Sequence, residues 1–144
     1  MNYINRNKGF TLVELLVVIA IIGVIMAYAI PAYNRQVIRS KRTEAQNILI
    51  ELAAIQERHM AVYQQYATSH LGAAETPTNL GLSGRYNQTP DYRYRMRMVD
   101  GGYEFRAIAR SSSQQADTTP LFTVNCRNIR INATGRKWPT ACWQ

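Results

Sequence analysis

From Phe10 to Ile30 the chain carries one charged side chain, Glu14, and its only other polar groups there are the hydroxyls of Thr11 and Tyr28. As a helix, this stretch of 21 residues would be about 31 Å long, enough to cross the hydrocarbon core of a bilayer. An unpaired carboxylate inside such a span costs up to a few kcal/mol, about what a nearby ammonium group would offset. The stretch therefore predicts a membrane helix whose one acid needs a cationic partner.

The residues in front of it, MNYINRNKG, hold Arg6 and Lys8 and no acid. A basic leader stays on the cytoplasmic side of a membrane, so the chain after the span is delivered outside. An ordinary secretory signal would be cut after the apolar core, and Ala27-Tyr28-Ala29 imitates such a site. That alternative leaves Gly9 and Glu14 unexplained.

Composition averages over unlike regions. The mean hydropathy of −0.27 is that of a soluble protein and conceals the local run. Net charge is +8. Arg6 and Lys8 are two of the 17 basic residues, so loss of the leader leaves 15 against 9 acidic ones, or +6. Polyanions, acidic headgroups and nucleic acid are candidate partners on charge alone. The two cysteines, Cys126 and Cys142, are not a CxxC pair and lack a four-ligand zinc pattern. In an exported domain they can form one disulfide, and in a reducing cytosol they would be two free thiols.

Lys8-Gly9-Phe10-Thr11-Leu12-Val13-Glu14, followed by the uncharged run to Pro31, resembles the N-terminus of a type IV prepilin. The motif joins a basic leader, a glycine, a phenylalanine, a carboxylate four residues on and a spanning helix. The resemblance implies a leader, residues 1–9, removed by prepilin peptidase after Gly9, and N-methylation of the new terminus at Phe10. Residues 10–31 become the transmembrane and assembly half of a long helix, and residues 32–144 a periplasmic, later extracellular, globular domain. It further implies that Glu14 neutralises the N-terminal amine of a neighbouring subunit. The tail from Cys126 to Cys142-Trp143 is similar to minor pilins of the PilE type, in which a disulfide defines this region. The implied fold class is α+β, a long N-terminal helix packed by its second half on a small antiparallel sheet. The implied partners are other pilin subunits, the peptidase, an inner-membrane assembly platform and, before assembly, lipid. The implied location is the bacterial inner membrane, single pass, and then the fibre.

Gly23 weakens the helix locally and Pro31 removes a donor and clashes with the preceding turn, which predicts a kink or interruption. Beyond it, Ala45, Ile48, Leu52, Ile55, His59, Val62 and Tyr66 recur at helical spacing, widened by Leu49 and Tyr63. Arg39, Arg42, Gln46, Glu57 and Gln64 fall opposite. The pattern predicts a helix from about Phe10 to about Tyr66, with Arg35, Arg39, Lys41 and Arg42 as a collar that is solvated or paired with lipid phosphates.

Residues 67–91 read as loop, punctuated by Gly72, Pro77, Gly81, Gly84 and Pro90. Tyr92 to Met98 alternates strictly, Asp100-Gly101-Gly102 supplies a turn, and Tyr103 to Arg110 returns. Ser111 to Pro120 reads as a polar loop, and Phe122 to Cys126 as a short extended piece. Ile129-Arg130-Ile131 predicts a strand, Ala133-Thr134-Gly135 a turn, and Arg136-Lys137-Trp138 a return.

Nothing in the chain resembles a nucleophile elbow, a phosphate loop or a metal-binding His-Glu pair. His59 and His70 read as packed residues, so neither an enzyme nor a metal or other cofactor is expected. The strongest binding feature is the face bearing Arg93, Arg95 and Arg97, with Arg106 and Arg110 on the adjoining strand. Those guanidiniums are candidates for DNA phosphates, with Tyr86 or Tyr103 for stacking; a solvated outer face is the plainer reading. The expected function is a structural, minor pilus subunit supporting assembly, twitching motility, adhesion or DNA uptake. The alternatives are a type II secretion pseudopilin and a DNA-binding competence pilin.

Overall fold

The computed structural model describes residues 9–70, 74–82, 86, 89–117 and 124–143. The leader with Arg6 and Lys8, the loop glycines Gly72 and Gly84, Pro120, and Phe122 and Thr123 of the expected extended piece lie outside the described residues. The chain divides into two compact units, Met1–Gln36 and Val37–Gln144. Helix α1, Leu12–Tyr63, contributes to both.

In the first unit every described residue from Gly9 to Gln36 is exposed, with Phe10 at 91 %. The helix starts with a reciprocal cap. The Thr11 N–H and hydroxyl both donate to Glu14 Oε2 at 2.8 Å, and the Glu14 N–H donates to Thr11 Oγ1 at 3.2 Å. This Thr-x-x-Glu exchange satisfies donors that a helix N-terminus otherwise leaves open. Helical structure continues through Gly23 and Pro31, so of the expected kink or interruption at Pro31 the interruption does not occur. A proline deletes one amide donor, and the hydrogen bonds on either side carry the helix past it.

In the second unit the buried residues of α1 are Arg42, Ala45, Leu49, Leu52, Gln56 and His59, spaced 3 and 4 apart in alternation. This corrects the expected stripe on both edges. Leu49 and Gln56 are buried where Ile48 and Ile55 are only half-buried, and Val62 is 64 % exposed. Gln56 belongs inside because its Nε2 donates to the Ala67 carbonyl at 2.9 Å, a partner that hydropathy cannot reveal. The helix stops at Tyr63, short of the expected Tyr66, because Gln64 takes a left-handed φ of 56° and closes the last turn on the Met60 carbonyl. Tyr66 then packs edge-on to Tyr103, ring centroids 5.2 Å apart.

The segment expected to be loop contains a small antiparallel ribbon, β1 (Glu75–Thr76) with β2 (Asn79–Leu80). Gly81 follows at φ +66°, where a Cβ would stand 2.5 Å from the Glu75 nitrogen, so only glycine fits. The main sheet has the order β3-β4-β5-β6, all antiparallel: β3 Tyr92–Val99, β4 Gly102–Ala109, β5 Asn128–Asn132 and β6 Lys137–Trp138. Alternation along each strand separates the faces. Tyr92, Tyr94, Tyr103, Phe105, Ala107, Ile129 and Ile131 turn inward and form the core with Ala45, Leu49 and Leu52 of α1. Each fully buried leucine contributes roughly 2 kcal/mol.

Within the expected polar loop, Ser112–Gln115 forms one turn of helix, α2. Gln114 is fully buried there and its Nε2 donates to the Ile38 carbonyl and the Tyr92 hydroxyl, both at 2.9 Å. Asp117 is buried against Arg42, Nη1 to Oδ1 3.0 Å, and the same nitrogen lies 3.2 Å from Cys126 Sγ. The basic collar is corrected at two of its four positions. Arg42 is buried in that ion pair and Lys41 is paired with Asp91 at 2.9 Å, whereas Arg35 and Arg39 are exposed. Cys126 and Cys142 form a disulfide, and Gln46 Nε2 donates to the Cys142 carbonyl, tying the C-terminal turn Thr140–Trp143 to α1.

Candidate functional site: an N-terminal motif and a basic sheet face

Two places carry chemistry. At the first, Gly9 and Phe10 are exposed and precede the capped helix start. Glu14 Oε2 receives both Thr11 donors, while Oε1 has no hydrogen bond among the described residues. The cap is a feature that sequence reasoning missed. Its signal was present, because Thr11-x-x-Glu14 before an apolar run is a capping-box pattern. Gly23 meets no atom within 4 Å of an added Cβ, so the described structure gives it no packing role.

The second place is the outer face of the main sheet. Arg93 is paired in register with Ile108, Arg95 with Arg106, and Arg97 with Glu104. One strand further on, Arg106 is opposite Arg130, and Arg130 is opposite Trp138. The strand alternation thus places Arg93, Arg95, Arg97 and Arg106 on one surface, as the sequence pattern expects, and adds Arg130. Glu104 sits among them, nearly buried. Its Oε1 lies 2.5 Å from Arg106 Nε and 3.5 Å from Arg97 Nε, and its Oε2 lies 3.5 Å from Arg130 Nη1.

Arg93, Arg95 and Arg110 are exposed and form no ion pair among the described residues. They line two depressions over β3 and the end of β4. One, of about 580 Å³, adds Thr68, Ser69 and His70; the other, of about 340 Å³, adds Ile108 and Ala109. His70 is buried with its ring edge-on to Phe105 at 6.3 Å. Burial disfavours its charged form and holds its pKa below the usual 6.5, partly offset by a hydrogen bond to the Tyr94 backbone. His59 is also a packed residue, its two ring nitrogens 3.1 Å and 2.8 Å from the carbonyls of Gln65 and Thr76.

The tyrosines expected to stack on bases are not available. Tyr86 and Tyr103 are 5 % and 1 % exposed, and their hydroxyls donate to Glu51 at 2.6 Å and Glu57 at 2.9 Å. Tyr103 has the parity of the inner face, so the alternation that exposes the arginines buries it. Burial also pushes the Tyr103 hydroxyl pKa up, and raises those of Tyr92 and Tyr94 to about 12. The aromatic residue on the outer face is Trp138, with the guanidinium of Arg130 5.8 Å and that of Arg136 5.0 Å from its ring centroid. Its position in the short returning strand, two residues from Arg136, was the available sign.

A capped apolar helix that is exposed along its first part, followed by a disulfide-closed domain of helix and antiparallel sheet, defines the type IV pilin class, and residues 4–30 match the prokaryotic N-terminal methylation motif. The chain belongs to the family described as type IV minor pilin ComP, DNA uptake sequence receptor, which matches residues 31–130. Among relatives, it is 41 % identical to fimbrial protein Q of Moraxella bovis over 81 residues, 55 % of this chain and 50 % of that protein. It is 34 % identical to the type IV major pilin protein PilA of Myxococcus xanthus over 106 residues, 72 % of this chain and 43 % of that protein. The chain thus spans about half the length of the relatives it matches. A type IV pilin structure from Shewanella oneidensis superposes with a TM-score of 0.51 at 20 % identity, covering 74 % of this chain and 98 % of that one. That likeness supports the α+β pilin fold.

Proposed function

We propose that this protein is a minor subunit of a type IV pilus that also presents a DNA-binding surface. In this reading prepilin peptidase cuts between Gly9 and Phe10, Phe10 is methylated, and the helix holds the subunit in the inner membrane until an assembly platform moves it into the fibre. The observation that carries the proposal is the methylation motif joined to an apolar helix start whose described residues are all exposed. Such a surface needs lipid first and neighbouring helices later. Glu14 is suited to that change of partner, because Oε1 has no hydrogen bond among the described residues and is left to accept from another subunit's N-terminal ammonium while Oε2 keeps the cap.

Glu14→Ala tests the assembly role. The variant is expected to insert and be processed normally, and to be missing from sheared fibres; normal incorporation would sink the role assigned to this carboxylate. DNA capture draws on the unpaired guanidiniums of the outer sheet face and on the receptor function named for the family. Phosphate contacts of this kind give salt-dependent binding.

A further inference from the structure

The outer face is charge-frustrated by its own register. Arg95, Arg106 and Arg130 lie directly opposite one another across three strands, and like charges in such pairs repel. Glu104, one rung away, draws three guanidiniums toward itself, Arg106 most closely. Arg106 and Arg130 are correspondingly less exposed, at 26 % and 36 % of the side chain, than Arg97 at 61 %. No described carboxylate reaches Arg93, Arg95 or Arg110, and both depressions are lined by these three.

We infer that Glu104 divides the basic face into a carboxylate-held centre, Arg106 with Arg97 and Arg130 more loosely, and a rim without a described carboxylate, and that the rim, Arg93, Arg95 and Arg110, takes the phosphates of a nucleic-acid backbone. Glu104 is then the internal counter-ion that limits how many phosphates the face can hold. This rests on the DNA reading above and specifies its footprint. Arg93 and Arg95 stand about 7 Å apart along β3, roughly two base steps of duplex rise. Contacts of this kind position a duplex and do not read its sequence.

The experiment is a salt titration of binding between the full processed chain in non-ionic detergent and a labelled short duplex of mixed sequence. With about three phosphates engaged, log affinity is expected to fall with log salt at a slope near −2.7. Arg93→Ala, Arg95→Ala and Arg110→Ala should each flatten the slope by about 0.9. Arg106→Gln should leave it unchanged. Glu104→Gln should release Arg106 first, steepening the slope by about 0.9 or more and tightening binding severalfold at low salt. A slope that stays the same or flattens in a folded Glu104→Gln protein overturns the inference. So does an Arg106→Gln loss equal to that of Arg95→Ala, which decides the matter if Glu104→Gln does not fold. Absence of any duplex binding by the unaltered chain at low salt removes the DNA reading itself.

Discussion

Glu14 and Glu104 are each the acid on which their surroundings depend, yet they are satisfied in opposite ways. Glu14 is held by Thr11, three residues away on the same helix turn. Glu104 is reached by arginines from three different strands. The apolar helix start forms its local structure from adjacent residues and leaves its flanks to other molecules. The globular unit brings together groups distant in sequence, as with Arg42 and Asp117, and is self-sufficient in its polar contacts to that extent. A local cap stabilises one end of a helix, whereas a distant pair stabilises the whole cooperative unit.

The comparison can be broken most forcefully at the distant pair. Asp117→Ala leaves Arg42 buried without its partner and is expected to cost about 3–5 kcal/mol, lowering the melting temperature by roughly 12–20 °C. Burial raises the Asp117 carboxyl above its ordinary value and the Arg42 guanidinium pulls it back, so removing the acid takes away the compensation for a buried cation. A shift within a degree or two would show that the pair is not part of the cooperative fold.

Thr11→Val tests the local side. Hydrogen exchange of the first-turn amides in detergent should accelerate roughly fivefold, the usual effect of losing a cap, with the melting temperature unchanged. A melting shift comparable to that of Asp117→Ala would abolish the distinction between the two regions.

The smallest expected effect concerns His70. Its folded pKa is depressed, chiefly by burial, so the unfolded chain takes up the proton first as the pH falls. The histidine therefore contributes stability that is present above its usual pKa of 6.5 and is lost as the pH drops toward its folded value. The Arg93, Arg95 and Arg110 side chains that line the same depression, and the Phe105 ring, offer it no counter-ion. His70→Phe should flatten denaturant-measured stability between pH 7 and 5; an unchanged slope would contradict the assigned cause.

The sequence was most informative where one residue type repeated without long-range help. The strict alternation from Tyr92 to Met98 assigned faces correctly because a strand has only two, and the apolar run was visible because nothing in it needs a distant partner. The inner stripe of α1 was harder to read. Arg42 and Gln56 look like surface residues, and their burial depends on Asp117 and the Ala67 carbonyl, which are brought near only by the fold. For the basic face, the pattern supplied the arginines and missed the carboxylate that divides them, since Glu104 appears merely as one more polar position in an alternating strand. Trp138 was missed for the same reason, its neighbours on the surface being Arg130 and Arg136.

The turn Ile38–Arg42 is the first part of α1 that the globular unit holds. Gln114 takes its first carbonyl, Asp91 pairs with Lys41, and Asp117 pairs with Arg42 beside the disulfide sulfur of Cys126. In mechanical terms this turn is an anchor. A tensile load carried along the helix enters the domain here, shared among three side chains from two segments, with Arg42 itself in contact with a sulfur of the covalent cross-link. Helix that precedes the anchor has no such grip, since none of its described residues is buried. A subunit built this way is expected to yield first in the helix ahead of Ile38, with its sheet still folded.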